Sequence, residues 1–397
     1  MLLRIIWERH SFMRDVEPKL KELLDLPYDD PRITDELRYD DFNRELRRAA
    51  LLRFAEWNYP LDQEPLGMIL LPDAQGMLQI AGRGQALWAG QQIAKRDYLA
   101  AIDALKTQFA CAQHVARGPF IPNQLIAVAI ADMGLDRCEI LIEQPDSPNL
   151  YWAFGLLPDF LGDNTVALHW DAQNIPKSLR SLQPVPPAMN DVEAWKNVAN
   201  EFTTYLLDYN TIDISKDEAA TLKAKMLIAA TRFLKEQQEF TDKQLGTLAP
   251  EAIVMRWILA QNEIMHAKIE TAYSMPAPRA LERLVKVEEE IAQILHSVDS
   301  PASPFPERPA KTFVALHRFD RRVKLLQTIE SIRDYLAKHD DLPGSLDQLE
   351  LPAPRDPLTE LPFEYERNGD TATIRMPIVP GVDQSYQTRR SYTIRRR

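Results

Sequence analysis

The stretch that decides the fold is Gln79–Ala94, QIAGRGQALWAGQQIA, with Lys95-Arg96-Asp97 and then Tyr98–Ala116, YLAAIDALKTQFACAQHVA. In the second run Tyr98, Ala101, Ile102, Leu105, Phe109, Ala112 and Ala116 recur at steps of three and four, which puts them on one face of a helix. That face needs a partner. The first run, rich in Ala, Gln and Leu, supplies one, because the three polar residues between the runs suffice to turn one helix back on the other. An antiparallel helical hairpin is expected, closed by the aromatic segment Asn149-Leu150-Tyr151-Trp152-Ala153-Phe154. Gly76–Pro158 thereby becomes the part on which the rest of the chain is organised.

Outward from it, Phe42, Leu46, Ala49, Ala50, Phe54 and Trp57 give an earlier helical face, opened by Asp40-Asp41, where the helix dipole favours negative charge. Met68-Ile69-Leu70-Leu71-Pro72 reads as a buried connector. After Gly118-Pro119, Ile121, Leu125, Val128, Ala129 and Met133 begin a further helix. Gln144-Pro145-Asp146-Ser147-Pro148 ends it, and Asn149 or Ser147 can cap a short aromatic helix. The proline-containing segment 162–188 reads as a connection between helical layers. Helical faces then follow at Val192–Tyr209, Ala219–Phe233, Ile253–Ile264 (opened by Pro250) and Leu281–Leu295. Prolines at 301, 304, 306 and 309 mark a linker. Beyond it, Phe313–Leu336 is a long helix, and Phe363–Glu366 and Thr371–Arg375, split by Asn368-Gly369-Asp370, give the strongest hairpin signal in the chain.

Composition bounds the function classes. The chain has 397 residues, 45% of them apolar, which is enough for two or three cores. A net charge of -11 argues against general binding to nucleic acid phosphates. The cationic end formed by Arg389, Arg390, Arg395, Arg396 and Arg397 reads as a solvated, frayed terminus or as a contact for an anionic surface. Cys111 and Cys138 lack C-x-x-C spacing and are expected as two separate buried thiols. No signal peptide is read at Met1–Trp7, and no run of about twenty apolar residues offers a membrane span.

Candidate chemistry is sparse. Glu263 and His266 stand at i and i+3 on a helix, the spacing with which a carboxylate and an imidazole share a metal; the alternative is an ordinary solvated or hydrogen-bonded pair, because no second such pair occurs. His169-Trp170-Asp171 lacks a nucleophile, and phosphate-binding glycine motifs are absent. Tyr151, Trp152 and Phe154 line a binding groove on one reading and fill the core on the other. On the core reading Trp152→Ala costs about 3–5 kcal/mol; on the groove reading it costs almost nothing.

Two resemblances add to this. Ser147-Pro148-Asn149-Leu150-Tyr151-Trp152-Ala153, with Leu342-Pro343-Gly344-Ser345-Leu346 and Asp356–Tyr365, resembles an uncharacterised family of planctomycete proteins, many of them exported. That likeness implies the periplasm or cell envelope and no particular activity. The last eighty or so residues are similar to the soluble part of type II secretion major pseudopilins, through Asp356-Pro357 and Pro362-Phe363-Glu364-Tyr365; Leu358-Thr359 stands in place of Trp-Gly, no pilin membrane helix precedes the unit, and Gly381-Val382-Asp383-Gln384 only loosely echoes the calcium loop. It implies a small α+β module. Asp97-Tyr98-Leu99-Ala100-Ala101 resembles the start of a tetratricopeptide second helix, yet no period of about 34 residues repeats.

The expectation is a mainly α protein of irregular stacked helical hairpins, a bundle or short solenoid-like body, with a small carboxy-terminal α+β module. The expected domains are 1–185, a second helical layer at 186–298 packed on the first, a linker at 299–311, and 312–397 with a basic tail. Its expected function is non-enzymatic binding or scaffolding of a protein or peptide partner, without a cofactor. A metal-dependent hydrolase using Glu263 and His266, or a component of a secretion apparatus, is the alternative.

Overall fold

The computed structural model describes residues 40–53, 76–157, 164–210, 216–300, 308–382 and 390–396, with a few isolated positions before residue 56. The protein is mainly α, with one three-stranded antiparallel sheet near its carboxy end. It divides into two units: one gathers the described residues of Met1–Trp57, Leu71–Asn164 and Phe313–Arg397, the other those of Thr165–Thr312. Along the described sequence the units change over at 164/165 and at 312/313. The carboxy-terminal module shares a unit with the early hairpin. Of the linker, 301–307 lies outside the described residues, as do Phe54, Trp57 and the Met68–Pro72 connector, and Pro309 already opens a helix.

In the first unit, α1 (Asp40–Ala50) precedes a π-helical segment at Leu78–Gly84 that runs into α2 (Gln85–Ala94). Arg96 takes a left-handed conformation (φ 58°), and the Asp97 carboxylate accepts from the Ala100 backbone N–H at 3.1 Å, so the expected three-residue break turns and caps the chain. Then come α3 (Tyr98–Ala116) and α4 (Ile121–Ile142), packed on each other and on α2. Gly134 makes the α3–α4 approach possible: a Cβ there would stand 2.9 Å from the Phe109 ring. The expected face of α3 is buried at Ala101, Leu105, Phe109 and Ala112, and so are Gln108, Cys111, His114 and Val115 on its other sides. Gln108 is used there. Its amide donates to the carbonyls of Gly82 and Ile130 at 3.1 and 2.9 Å, serving the π-helical turn and α4 together. Cys111 and Cys138 are both buried free thiols, and burial pushes each up to about 12.

After α4 comes the five-residue α5 (Tyr151–Gly155), whose N-cap is Leu150 rather than Asn149 or Ser147; the Asn149 side chain accepts from the Tyr151 N–H at 2.9 Å just ahead of it. The second unit holds α6 (Thr165–Ala172), α7 (Asn174–Ser178), α8 (Val192–Asn210), α9 (Lys216–Gln238), α10 (Asp242–Leu245), α11 (Pro250–Tyr273) and α12 (Ala277–Val298). Two of these, α6 and α7, lie where the sequence suggested an irregular connection. Trp195, Phe202, Leu234, Trp257 and Ile258 belong to this unit's core.

The first unit resumes along α13 (Pro309–His339), from Phe313 onward. Strands β1 (Glu364–Asn368), β2 (Thr371–Arg375) and β3 (Ser391–Arg395) follow, ordered β1-β2-β3. Asn368 opposes Thr371 across a two-residue loop whose first position, Gly369, has φ 61°, the arrangement of a II′ hairpin turn. The carboxy-terminal arginines do not fray as a unit: Ser391–Arg395 pairs with β2 along its whole length, Thr371 opposite Arg395 and Arg375 opposite Ser391.

Candidate functional site

The short helix α5 is fixed from beneath. Tyr151 and Phe154 are buried, and the Tyr151 hydroxyl donates to the Pro352 carbonyl at 2.8 Å. The Leu150 N–H donates to the Glu330 carboxylate at 3.1 Å, the Asn149 amide donates to the Glu330 carbonyl at 2.8 Å, and Arg333 pairs with Glu330 at 2.6 Å. Burial raises the Glu330 carboxyl above its usual range against these partners. Trp152 is turned the other way: it is 70% exposed, edge-on to the Tyr151 ring at 5.1 Å, and Leu156 one turn later is 83% exposed. The three candidate aromatics thus part company. Two are core, and the largest one stands in solvent on a rigid turn.

Glu263 and His266 are not brought together on one surface. Both lie on α11, but Glu263 is exposed while His266 is buried, and among the described residues no group of three or more His, Cys, Asp or Glu is placed to hold a metal ion. Burial lowers His266 to about 4, and among the described residues no hydrogen bond reaches its Nδ1. One turn earlier Asn262 donates to the Ala172 carbonyl of α6 at 3.0 Å. Asp171, also on α6, is desolvated, which pushes its carboxyl up to about 6, and burial together with the Asp171 charge raises Tyr273 on α11. His169 of the same segment meets the Gln173 side chain instead, at 2.9 Å, so the His169-Trp170-Asp171 run forms no imidazole–carboxylate pair.

A different constellation gathers most of the buried charge. Arg322 on α13, 1% exposed, bonds Asp132 at 3.0 Å and Asp136 at 2.7 Å, and also Glu139, all on α4. Arg318 pairs with Asp132. Arg390 reaches Asp136 and Glu139 at 3.1 and 3.2 Å, and the Tyr392 hydroxyl donates to Glu139. Burial works against the charge of Arg322, but the three carboxylates outweigh it and raise its pKa. Beside it Arg321 pairs with Asp356 at 2.7 Å, with 4% and 0% of the two side chains exposed, and donates to the Pro377 carbonyl at 3.0 Å. Asp356 also accepts from the N–H groups of Leu358 and Thr359. These are fastenings between α4, α13, the Asp356 turn and β3. The spacing of Asp132, Asp136 and Glu139 at four and three residues put them on one helical face and was readable; that an arginine 183 to 190 residues away would enter among them was not. Comparison with family models, with curated proteins and with solved structures finds no match.

Proposed function

We propose that this chain is a non-enzymatic binding or scaffold protein that engages a protein or peptide partner through the Trp152 turn. The observation that carries the reading is the exposure of Trp152 beside exposed Leu156, on a helix whose neighbours Tyr151 and Phe154 are buried and whose backbone is tied to Glu330. An exposed tryptophan on a fixed backbone offers large contact area with few torsions left to freeze, the usual make-up of an interface hot spot. The clustered charges of the first unit support the same reading, since they are engaged in ion pairs with one another. The planctomycete resemblance adds the cell envelope as the compartment, and within it a secretion partner is one candidate.

The test is a photo-crosslinking amino acid at position 156, identification of the captured protein, and titration of that protein, purified, against parent and Trp152→Ala chains. We expect Trp152→Ala to weaken binding by about thirtyfold, the effect of a hot spot of ~2 kcal/mol, with unchanged thermal stability. Equal affinity of parent and variant for every captured protein would defeat the reading.

A further inference from the structure

Strand β3, like β1, has no buried residue among its five, whereas β2 between them buries Ala372 and Ile374. The side-chain anchors of β3 are ionic or polar. At its start Arg390 bonds Asp136 and Glu139 of α4, and the Tyr392 hydroxyl adds to Glu139. At its end Arg396 lies 3.2 Å from Asp340, 3.6 Å from Asp341 and 4.0 Å from Asp370, and its backbone N–H donates to the Asp370 carbonyl at 2.8 Å. Between them runs the ladder to β2, whose far side is already paired to β1.

The surroundings of β3 therefore make a seat with two acidic ends and a strand edge between. Its five carboxylates, Asp136, Glu139, Asp340, Asp341 and Asp370, are otherwise met by Arg322 and Arg367, so carboxylates are left over when β3 is removed. The described segment that fills it, RSYTIRR at 390–396, carries three arginines in seven residues. The match is in charge and backbone pairing, with little apolar burial to hold it in place. Ion pairs at such partly exposed positions are individually weak and are screened by salt, while strand pairing is indifferent to which copy supplies the strand.

We propose that this seat is an interaction site for an extended arginine-rich strand, filled in cis by the chain's own β3 and open in trans to β3 of a second copy, so that two chains exchange their carboxy-terminal strands. The exchange is reciprocal and closed, as in other swapped dimers. Both occupied states have the same contacts, and protein concentration and ionic strength decide between them.

Arg375 and Ser391 face each other across β2 and β3, next to the Met376–Arg390 backbone bond, which makes them a non-hydrogen-bonded pair with closely spaced side chains. In the full chain, the double variant Arg375→Cys/Ser391→Cys should close an internal disulfide under mild oxidation. Mixing the two single variants at high protein concentration in ~1 M salt, where the Debye length falls to about 3 Å, should give a covalent dimer in which position 375 of one chain is bridged to position 391 of the other. We expect at least tenfold more of it than either single variant forms alone. As a second measurement, labelled RSYTIRR peptide should bind the Arg390→Gln chain at least tenfold more tightly than the parent, and a scrambled peptide of equal composition should not. Closure of the double variant without cross-linking in the mixture would overturn the proposal, as would equal peptide binding to parent and variant or equal binding of the scrambled peptide. Failure of the double variant to close would remove the register on which it stands.

Discussion

Buried titratable side chains are handled in two opposite ways, and two sites, one in each unit, show them. In the first, Arg322 and Arg321 go inside already matched, one to three carboxylates of α4 and the other to Asp356. In the second, His266 is buried and Asp171 half-buried without a charge partner, and desolvation moves His266 to about 4 and Asp171 to about 6, so each favours its neutral form. The difference teaches how to read buried polarity. A charged interior is a fastening whose removal strands an unpaired ion. A neutralised one is a tolerated cost that solution pH can collect.

The comparison breaks first, and hardest, at Arg321. Arg321→Met leaves the fully buried Asp356 with its two backbone donors and no cation, and should cost about 3–5 kcal/mol in urea unfolding. Adding Asp356→Asn, which keeps an oxygen for the Leu358 and Thr359 N–H groups and removes the charge, should return a large part of that loss. If the double variant is no better than Arg321→Met, the pair is not what the first unit's charge arrangement depends on.

The second unit responds to pH instead. His266 has its folded pKa depressed from 6.5 to about 4, so its contribution is complete above 6.5 and is lost as pH falls toward 4. Asp171 has its folded pKa raised from 3.8 to about 6, so its contribution is complete below 3.8 and is lost as pH rises through 6. Between pH 4 and 6 the unfolded chain holds the histidine proton and the folded chain holds the aspartate proton, and the two slopes cancel. Each substitution should unmask the other. Relative to the parent, His266→Leu should lose stability by about 2.7 kcal/mol as pH rises from 4 to 6, and Asp171→Asn should gain about as much, at 1.36 kcal/mol for each pH unit. Parallel stability–pH curves for parent and variants would show that the second unit's groups are not desolvated in this way.

Much of this fold was legible because its signals are local. The Tyr98–Ala116 face, the Lys95-Arg96-Asp97 break and the Gly369 turn each follow from a few neighbouring residues, and the structure has them. What escaped was set by distant partners. Nothing in the residues next to Gln108 and Arg322 announces their partners, which are the carbonyls of Gly82 and Ile130 and the carboxylates of α4. The strand β3 escaped because Ser391–Arg395 lies among arginines that suggest a solvated tail, and its pairing strand comes earlier in the chain. Segments α6 and α7 escaped because prolines near them masked a short helical period. At the candidate site, the segment around Trp152 is apolar on every side, so periodicity could not say which ring faces out.

The smallest expected effect is at that ring, and it sharpens the comparison from the opposite direction. In the first unit the polar groups inside are structural, and at α5 the apolar group outside is not. The turn is held by Tyr151, Phe154 and the paired carboxylate of Glu330, and the exposed indole of Trp152 adds only an edge contact to the Tyr151 ring. Trp152→Ala should therefore change unfolding free energy by less than about 0.5 kcal/mol, the range of an ordinary surface substitution, against the roughly 3–5 kcal/mol expected had the ring been core. Phe154→Ala, one face round the same turn and 2% exposed, should cost about 3–5 kcal/mol. Urea unfolding of the two variants beside the parent measures both at once. A large loss at Trp152 would place the indole in the core and remove the surface on which the binding function was argued, while equal small losses at both positions would mean that α5 is not anchored at all.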